Sequence, residues 1–361
     1  MADRPADRAG GEGQGPKGSG FRPVENKTPR RNGGGGCRGG QGGARHYAAL
    51  DLGTNNCRLL IARPQGGGFA VIDAFSRIVR LGEGLATSGR LSDAAIERTV
   101  AALRVCADKL KRRNVTLSHA VATEACRQAA NGAEFIERVL AETGIRLEII
   151  TAQEEARLAV LGCHALLEPG DGPALIFDIG GGSTELVLID TDADGTPHVR
   201  DWHSAPWGVV SLTETAGPVG ATEADRLATY ARMQEIAADS FSAFAARLPR
   251  GVKAPRLLGT SGTVTTLGSV FLDLPHYDRA QVDGLIVPAK AMRAISQDLA
   301  RKSIAERAKV ACIGTERADL VVAGCAILEV IMDLWPAQRL GIADRGIREG
   351  ILRRLMGSAR P

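Results

Sequence analysis

The chain has 361 residues, 44% of them apolar, and a formal net charge of +4, which is enough for one large or two ordinary domains with a sizeable core. No stretch approaches the roughly 18 consecutive apolar residues of a membrane span, and the N-terminus lacks the apolar segment of a secretory signal, so the expected location is the cytoplasm. The seven cysteines, at 37, 57, 106, 126, 163, 312 and 325, form no Cys-x-x-Cys pair and have no histidine at metal-ligand spacing, which argues for buried reduced thiols and against a zinc site or disulfide framework.

Residues 1–45 hold fourteen of the 44 glycines, nine Lys/Arg and four Asp/Glu, a net of +5. They show no helical or alternating apolar pattern, so they cannot offset the entropy of ordering, and a disordered basic tail is expected. With the whole chain at +4, residues 46–361 carry about −1. The basic pI therefore belongs to the tail, whose expected role is a solvated extension with no specific nucleic-acid partner.

From residue 47, "YAALDLGTNNCRLL" reads as an apolar strand reaching Asp51, a Gly-Thr-Asn turn and a second apolar strand. Ser92 is placed to cap a helix near 92–113, and Gly144 to close another at 133–143. Between these helices, "VATEACRQAANG" puts Arg127 just past a strand end, where it suits either a bidentate phosphate clamp or an ordinary surface arginine. In "EIITAQEEARLAV", Thr151 and Glu154 complete a Thr-x-x-Glu capping box. Glu155 is left without a structural task on the first helical turn, where the helix dipole favours its ionised form. Such a carboxylate can orient or deprotonate a water, although a lone first-turn glutamate is as a rule solvated surface.

The plan of the first strand pair returns in "ALIFDIGGGSTELVLID", with Asp178 lying 127 residues after Asp51. The echo implies two related halves. Gly180, Gly181 and Gly182 are expected to take positive φ and to let backbone N–H groups converge on an anion, with Ser183, Thr184, Thr54 and Asn55 as further donors. An aspartate at the strand end repels phosphate, so its expected work is to hold a hydrated Mg²⁺ or to position water. No lysine follows the glycines as a Walker A loop requires, and no third glycine opens a helix as a dinucleotide fingerprint requires. A purely structural β-hairpin turn stays open as the alternative. Further on, Gly259 to Thr263 in "RLLGTSGTVTTLGSV" offers another anion-friendly backbone at a strand-to-helix junction.

Together "ALDLGTNNCRLL", "ATEACRQAANGAEF", "EIITAQEEARLA", "FDIGGGSTELVL", "LGTSGTVTTL" and "ADRGIREGIL" resemble, in this order over residues 47–353, the exopolyphosphatase / guanosine pentaphosphate phosphohydrolase (Ppx/GppA) family. The resemblance implies an α/β fold class of two ribonuclease H-like domains of the actin-like ATPase superfamily, each on a mixed five-stranded sheet, with the active-site cleft between them. Domain one is expected at 46–157, with a C-terminal helix near 344–358 packing back onto it, and domain two at 158–343. By the same resemblance Glu155 is the catalytic base and Glu185 a second essential carboxylate. Asp178, Glu185 and Asp51 are the Mg²⁺ ligands. Gly180, Gly181, Gly182, Ser183 and Thr184 form the second phosphate loop, Thr54, Asn55 and Arg58 belong to the first, and Arg127 contacts phosphate. The family cleaves a terminal phosphoanhydride with Mg²⁺ by attack of water, so polyphosphate or a guanosine polyphosphate is the implied substrate and a homodimer the implied assembly.

Many relatives read Asp-x-Gly-Ser-Asn-Ser in the first loop; Thr54 and Asn56 depart from that pattern, which bears on how substrate is oriented. The helical C-terminal extension of longer members and any family counterpart of the glycine-rich tail are also missing from the match. Two rival classes stand beside the hydrolase. One is a kinase or ATPase of the same fold, which would typically use an aspartate base; the other is a non-catalytic sensor of guanosine polyphosphates, which gains nothing from extra carboxylates beside a polyanion.

Overall fold

A computed structural model describes residues 45–170, 172–192, 196–247 and 256–357. The tail assigned to residues 1–45 lies, Arg45 apart, outside them. The first half contributes β1 (His46–Leu52), β2 (Asn56–Gln65), β3 (Gly68–Ile78), β4 (Val115–Ala122) and β5 (Leu147–Ile149), in the order β3-β2-β1-β4-β5. Strand β1 runs antiparallel to β2 and parallel to β4. The second half contributes β6 (Ala174–Ile179), β7 (Thr184–Thr191), β8 (Pro197–Ala205), β9 (Arg256–Thr260), β10 (Ile286–Pro288) and β11 (Arg339–Ala343), in the order β10-β11-β9-β6-β7-β8. Strand for strand the order echoes the first sheet. The expected five-stranded sheet of the second half has six strands, because β10 pairs antiparallel with β11 on the edge left open in the first half.

Helix limits follow local chemistry. Ser92 accepts a hydrogen bond from the Ala95 amide at the start of Asp93–Arg112. Gly144 closes Gly132–Thr143 in the left-handed conformation, φ 72°, which a residue with a Cβ adopts at a penalty. These two helices cover one face of the first sheet through Val100, Leu103, Phe135 and Val139. The six described cysteines are free, and all but Cys312 are buried.

The helix Ala152–Cys163 is inserted between the two halves. Leu158 and Ala159 pack with Tyr47, Ala49 and Leu60 of the first sheet, whereas Ala156, Val160 and Cys163 pack with Ile176, Val187 and Leu258 of the second. The domain boundary expected at 157 thus falls inside a helix that serves both sheets. The C-terminal helix Ile347–Gly357 joins the first-sheet side through Ile351, Leu352 and Leu355. The two helices approach until a Cβ on Gly350 would stand 2.0 Å from the Leu158 carbonyl oxygen, and one on Gly162 would stand 2.0 Å from that of Gly346. Thr151 accepts from the Glu154 amide as expected. The carboxylate of Glu154 is paired with Arg354 of the C-terminal helix instead of closing the capping box, because a neighbouring cation binds it more strongly than an exposed amide.

On the outer rim the halves are tied by a bidentate pair, Arg80 Nη1 and Nη2 to the Asp319 carboxylate at 2.9 and 3.2 Å, and by the Gly84 amide on Glu214 Oε1 at 2.8 Å. Among the described residues no helix is long and apolar enough to cross a membrane.

The glycine crossing is open to test. On an ordinary helix Gly→Ala stabilises by up to about 1 kcal/mol. Here Gly350→Ala is expected to destabilise by about 1–3 kcal/mol through overpacking, read as a lower urea midpoint.

Candidate active site

The two glycine-bearing loops are built alike and meet. The Gly53 amide donates to the Asn56 carbonyl at 2.9 Å, and the Gly180 amide to the Ser183 carbonyl at 3.0 Å. Each therefore does join an antiparallel hairpin, and each also lines one cleft with Glu124, Glu155, Ser261 and residues 344–348. In the strand registers Asp51 faces Arg58, and Asp178 faces Glu185. The echo thus puts an acid at the same place in both halves but opposes it with a cation in the first and a second acid in the other. Among the described residues, the amides of Thr54, Asn55, Gly181, Gly182 and Ser183 make no hydrogen bond within the protein. A row of such donors is an anion site.

The glycines serve a purpose other than the expected one. None of Gly180, Gly181 and Gly182 has positive φ. They are needed for space: a Cβ on Gly181 would lie 2.9 Å from Thr54 Cβ, one on Gly182 2.6 Å from Thr54 Oγ1, and one on Gly82 2.2 Å from Thr54 Cγ2. Thr54 is seated in a glycine socket contributed by both halves. Behind it the Val209 and Val210 amides bind the carbonyls of Gly180 and Gly181 at 2.9 and 2.8 Å, fixing the loop from the far side.

The carboxylates are deep and short of cations. Glu155 is 7% exposed and Glu185 2%. Burial, then the charge of Glu185, pushes the Glu155 carboxyl well above the usual range against the opposing pull of Arg127. The expectation that the helix dipole keeps it ionised is corrected, since desolvation at this depth outweighs a first-turn dipole. Burial and then Asp178 push Glu185 up to about 7, although the Ser183 and Ser204 hydroxyls favour its charged form. Burial pushes Asp178 up to about 6, opposed by a hydrogen bond from Ser261 and by Arg58. Asp51 is raised for the same first reason, with Arg58 and Arg348 opposing.

Arg127 is already engaged. Its Nε and Nη2 donate to Glu124, and Nη1 donates at 2.8 Å both to Glu155 Oε2 and to the Ile150 carbonyl. Its guanidinium is thus shared between Glu155 and the partly buried Glu124, and Arg127 is not among the residues lining the cleft. Thr184 also departs from expectation: it is fully buried, and its hydroxyl is spent on the Trp207 carbonyl at 2.6 Å. Arg58, Thr54, Asn55 and Ser183 do line the cleft.

Several cleft-lining residues carried no individual role in the sequence reading, among them Glu124, Asp344, Arg345 and Arg348, and Ser261 was read only as part of an anion-friendly backbone. Glu124 lies in a stretch read only for its arginine. Ser261, at the junction of β9 and the helix Gly262–Phe271, has φ 81° and ψ −175°, a conformation open to glycine and strained for serine. Its hydroxyl rests on Asp178.

The donor set around Asp51, Asp178 and Glu185 is all oxygen and carries excess negative charge, and the buried Asn55 Oδ1 has no partner among the described residues. No group of three or more His, Cys, Asp and Glu among those residues stands ready to hold a metal ion. Mg²⁺ needs less, since it keeps several waters and binds through one or two carboxylates with substrate phosphates, so these residues fit it.

Two outcomes follow for the ligand-free protein. In the unfolded chain Asp178 and Glu185 ionise near 3.8 and 4.5, and in the folded protein near 6 and 7. Between these values the folded state binds more protons, so their contribution to stability is complete below about pH 4 and is lost as pH rises through 6 to 7. The melting temperature in EDTA should carry a downward component across that window, and Asp178→Asn with Glu185→Gln should flatten it. Ser261→Gly should raise stability by about 1 kcal/mol or more as the strain is removed, checked by urea unfolding.

The chain matches the model of the Ppx/GppA phosphatase family over residues 60–359. It is 31% identical over 325 residues to a protein named exopolyphosphatase 2 of Mycobacterium tuberculosis, covering 86% of this chain and 98% of that one. It is 29% identical over 324 residues to the guanosine-5'-triphosphate,3'-diphosphate pyrophosphatase of Aeromonas salmonicida, covering 86% of this chain and 60% of that protein. The crystal structure of the Aquifex aeolicus member of the Ppx/GppA family superposes with a TM-score of 0.71 at 30% identity, over 88% of this chain and 99% of that one. With two echoing sheets in the actin-like, ribonuclease H-like arrangement of those neighbours, and the family's sequence pattern running through both, the chain belongs to the Ppx/GppA phosphatase family.

Proposed function

We propose that the protein is a phosphohydrolase that releases the terminal phosphate of inorganic polyphosphate or guanosine pentaphosphate by attack of water. The observation that carries this reading is the meeting of two loops with unoccupied backbone amides beside the buried, arginine-braced Glu155. Amide donors suit phosphate oxygens, and a carboxylate of high proton affinity suits a water proton.

In this reading the amides of Thr54, Asn55, Gly181, Gly182 and Ser183 hold the terminal phosphate, with Arg58 adding charge. Arg127 occupies Glu155 Oε2, which leaves Oε1 to take the proton as the water oxygen bonds to phosphorus and the bridging P–O bond breaks. The leaving group departs as the shortened phosphate chain or nucleotide. Asp178 and Glu185, with Asp51, would hold Mg²⁺, which when bound supplies positive charge to offset that of the phosphate oxygens. The Ser183, Ser204 and Ser261 hydroxyls favour the charged form of the cation-side carboxylates against the larger effect of burial. No covalent nucleophile is required, because phosphoryl transfer depends mainly on positioning and electrostatics. The names of the relatives support both substrates, the polyphosphate one from a protein matched over nearly its whole length.

Phosphate release from long-chain polyphosphate, short polyphosphate and guanosine pentaphosphate, each with Mg²⁺, is the direct test. Glu155→Gln should lose about 10²–10⁴-fold in rate with little change in melting temperature. Near-native release by that variant would remove Glu155 from the chemistry. Gly181→Ala, which displaces Thr54, should lose about 10²-fold by misplacing the two loops.

A further inference from the structure

The arginines around the cleft differ in what they touch. Arg127 is held by Glu124, Glu155 and a carbonyl. Arg345 donates to Asp283 at 2.7 Å, and Arg317, in the adjoining hollow, to Thr266 at 2.9 Å. Among the described residues, Arg58 and Arg348 alone of the cleft-lining arginines form no hydrogen bond or ion pair. Both line the same cleft.

They reach it from segments far apart in the chain that pack against the same sheet. Arg58 is on β2, opposite Asp51. Arg348 is the second residue of the helix Ile347–Gly357, which begins where β11 of the second sheet ends. Burial disfavours the charge of Arg348, Arg58 opposes it further, and Glu349, Asp51 and Asp344 favour it. Two of those three acids are committed elsewhere. Glu349 accepts from the Gly346 amide and pairs with Arg279, and Arg279 also pairs with Asp344 at 3.2 Å. Asp51, with Asp178 acting on Arg58, is then what faces the two guanidinium groups. Burying like charges side by side is unfavourable unless an anion joins them, and a guanidinium fork matches phosphate oxygens.

We propose that Arg348 and Arg58 are the two arms of one clamp that grips a single phosphoryl group of the substrate, one arm from β2 and one from the C-terminal helix packed against the same sheet. The clamp rests on the reading of the cleft as a phosphoanhydride site and extends it to a residue on the C-terminal helix. That helix is fixed to Ala152–Cys163, which carries Glu155, by the glycine crossing. The clamp and the base thus share one rigid support.

The test uses tripolyphosphate as the probe, first in EDTA by its effect on melting temperature and then with Mg²⁺ by initial rates. Arg348→Ala should weaken tripolyphosphate binding about tenfold to a hundredfold, the loss expected for a charge-assisted pair, and should raise KM by more than it lowers kcat. Arg348→Lys should recover only part, because an ammonium cannot make the fork. Since one phosphate is shared, the Arg58→Ala/Arg348→Ala pair should lose less than the product of the single losses. Native binding by Arg348→Ala, full recovery by lysine, or strictly multiplicative losses would each overturn the clamp. If Arg348→Ala fails to fold, Arg348→Gln, which keeps most of the stem, carries the same comparison. Absence of phosphate release by the native enzyme on every substrate would defeat the proposed activity, while the EDTA melting shifts would still decide the role of Arg348.

Discussion

A helix inserted between two sheets has to satisfy both with the narrow side chains that such a space admits. Ala152–Cys163 does so with Leu158 and Ala159 on one side and Ala156, Val160 and Cys163 on the other. Where the C-terminal helix crosses it, neither chain has room for a Cβ. Everything in the cleft is registered to this contact. It sets the depth of Glu155, places the start of the C-terminal helix beside β1, and fixes how closely the glycine loops approach. Close packing of this kind transmits small displacements instead of absorbing them.

The depth is obtained at the expense of electrostatics. Asp51, Asp178, Glu155 and Glu185 share a buried region in which each disfavours the ionisation of another. A fold selected for stability alone would not gather them. Together with the strained Ser261, they are a cost that, on the proposed reading, a bound cation would offset. Neighbouring hydroxyls and Arg127 limit that cost without removing it.

The internal echo also has a functional side. Two homologous hairpins give the cleft two similar loops, and a single difference in register partner, Arg58 in one half and Glu185 in the other, polarises it. On the proposed reading, one side would attract phosphate and the other a cation. Since the halves meet through Thr54 in its glycine socket, the two specialised sides are held at a fixed separation.

Sequence by itself determined the strand and helix pattern, the two-half plan, the paired Asp-x-Gly turns and the helix bearing Glu155, because periodicity, caps and turn residues act over a few positions. It also marked most cleft residues, since glycines and acids at strand ends are local signals. Tertiary structure alone decided what each side chain does there. Arg127 was legible as an arginine past a strand, but only packing showed that two carboxylates occupy it. Thr184 looked like a donor until its hydroxyl was found on Trp207, twenty-three positions away. Gly181 and Gly182 were identifiable as necessary, yet their reason is a threonine far away in the chain and not their own φ. Burial, and with it the raised carboxyl groups and the unpaired Arg348, arises from segments up to three hundred residues apart being brought together, which no local pattern records.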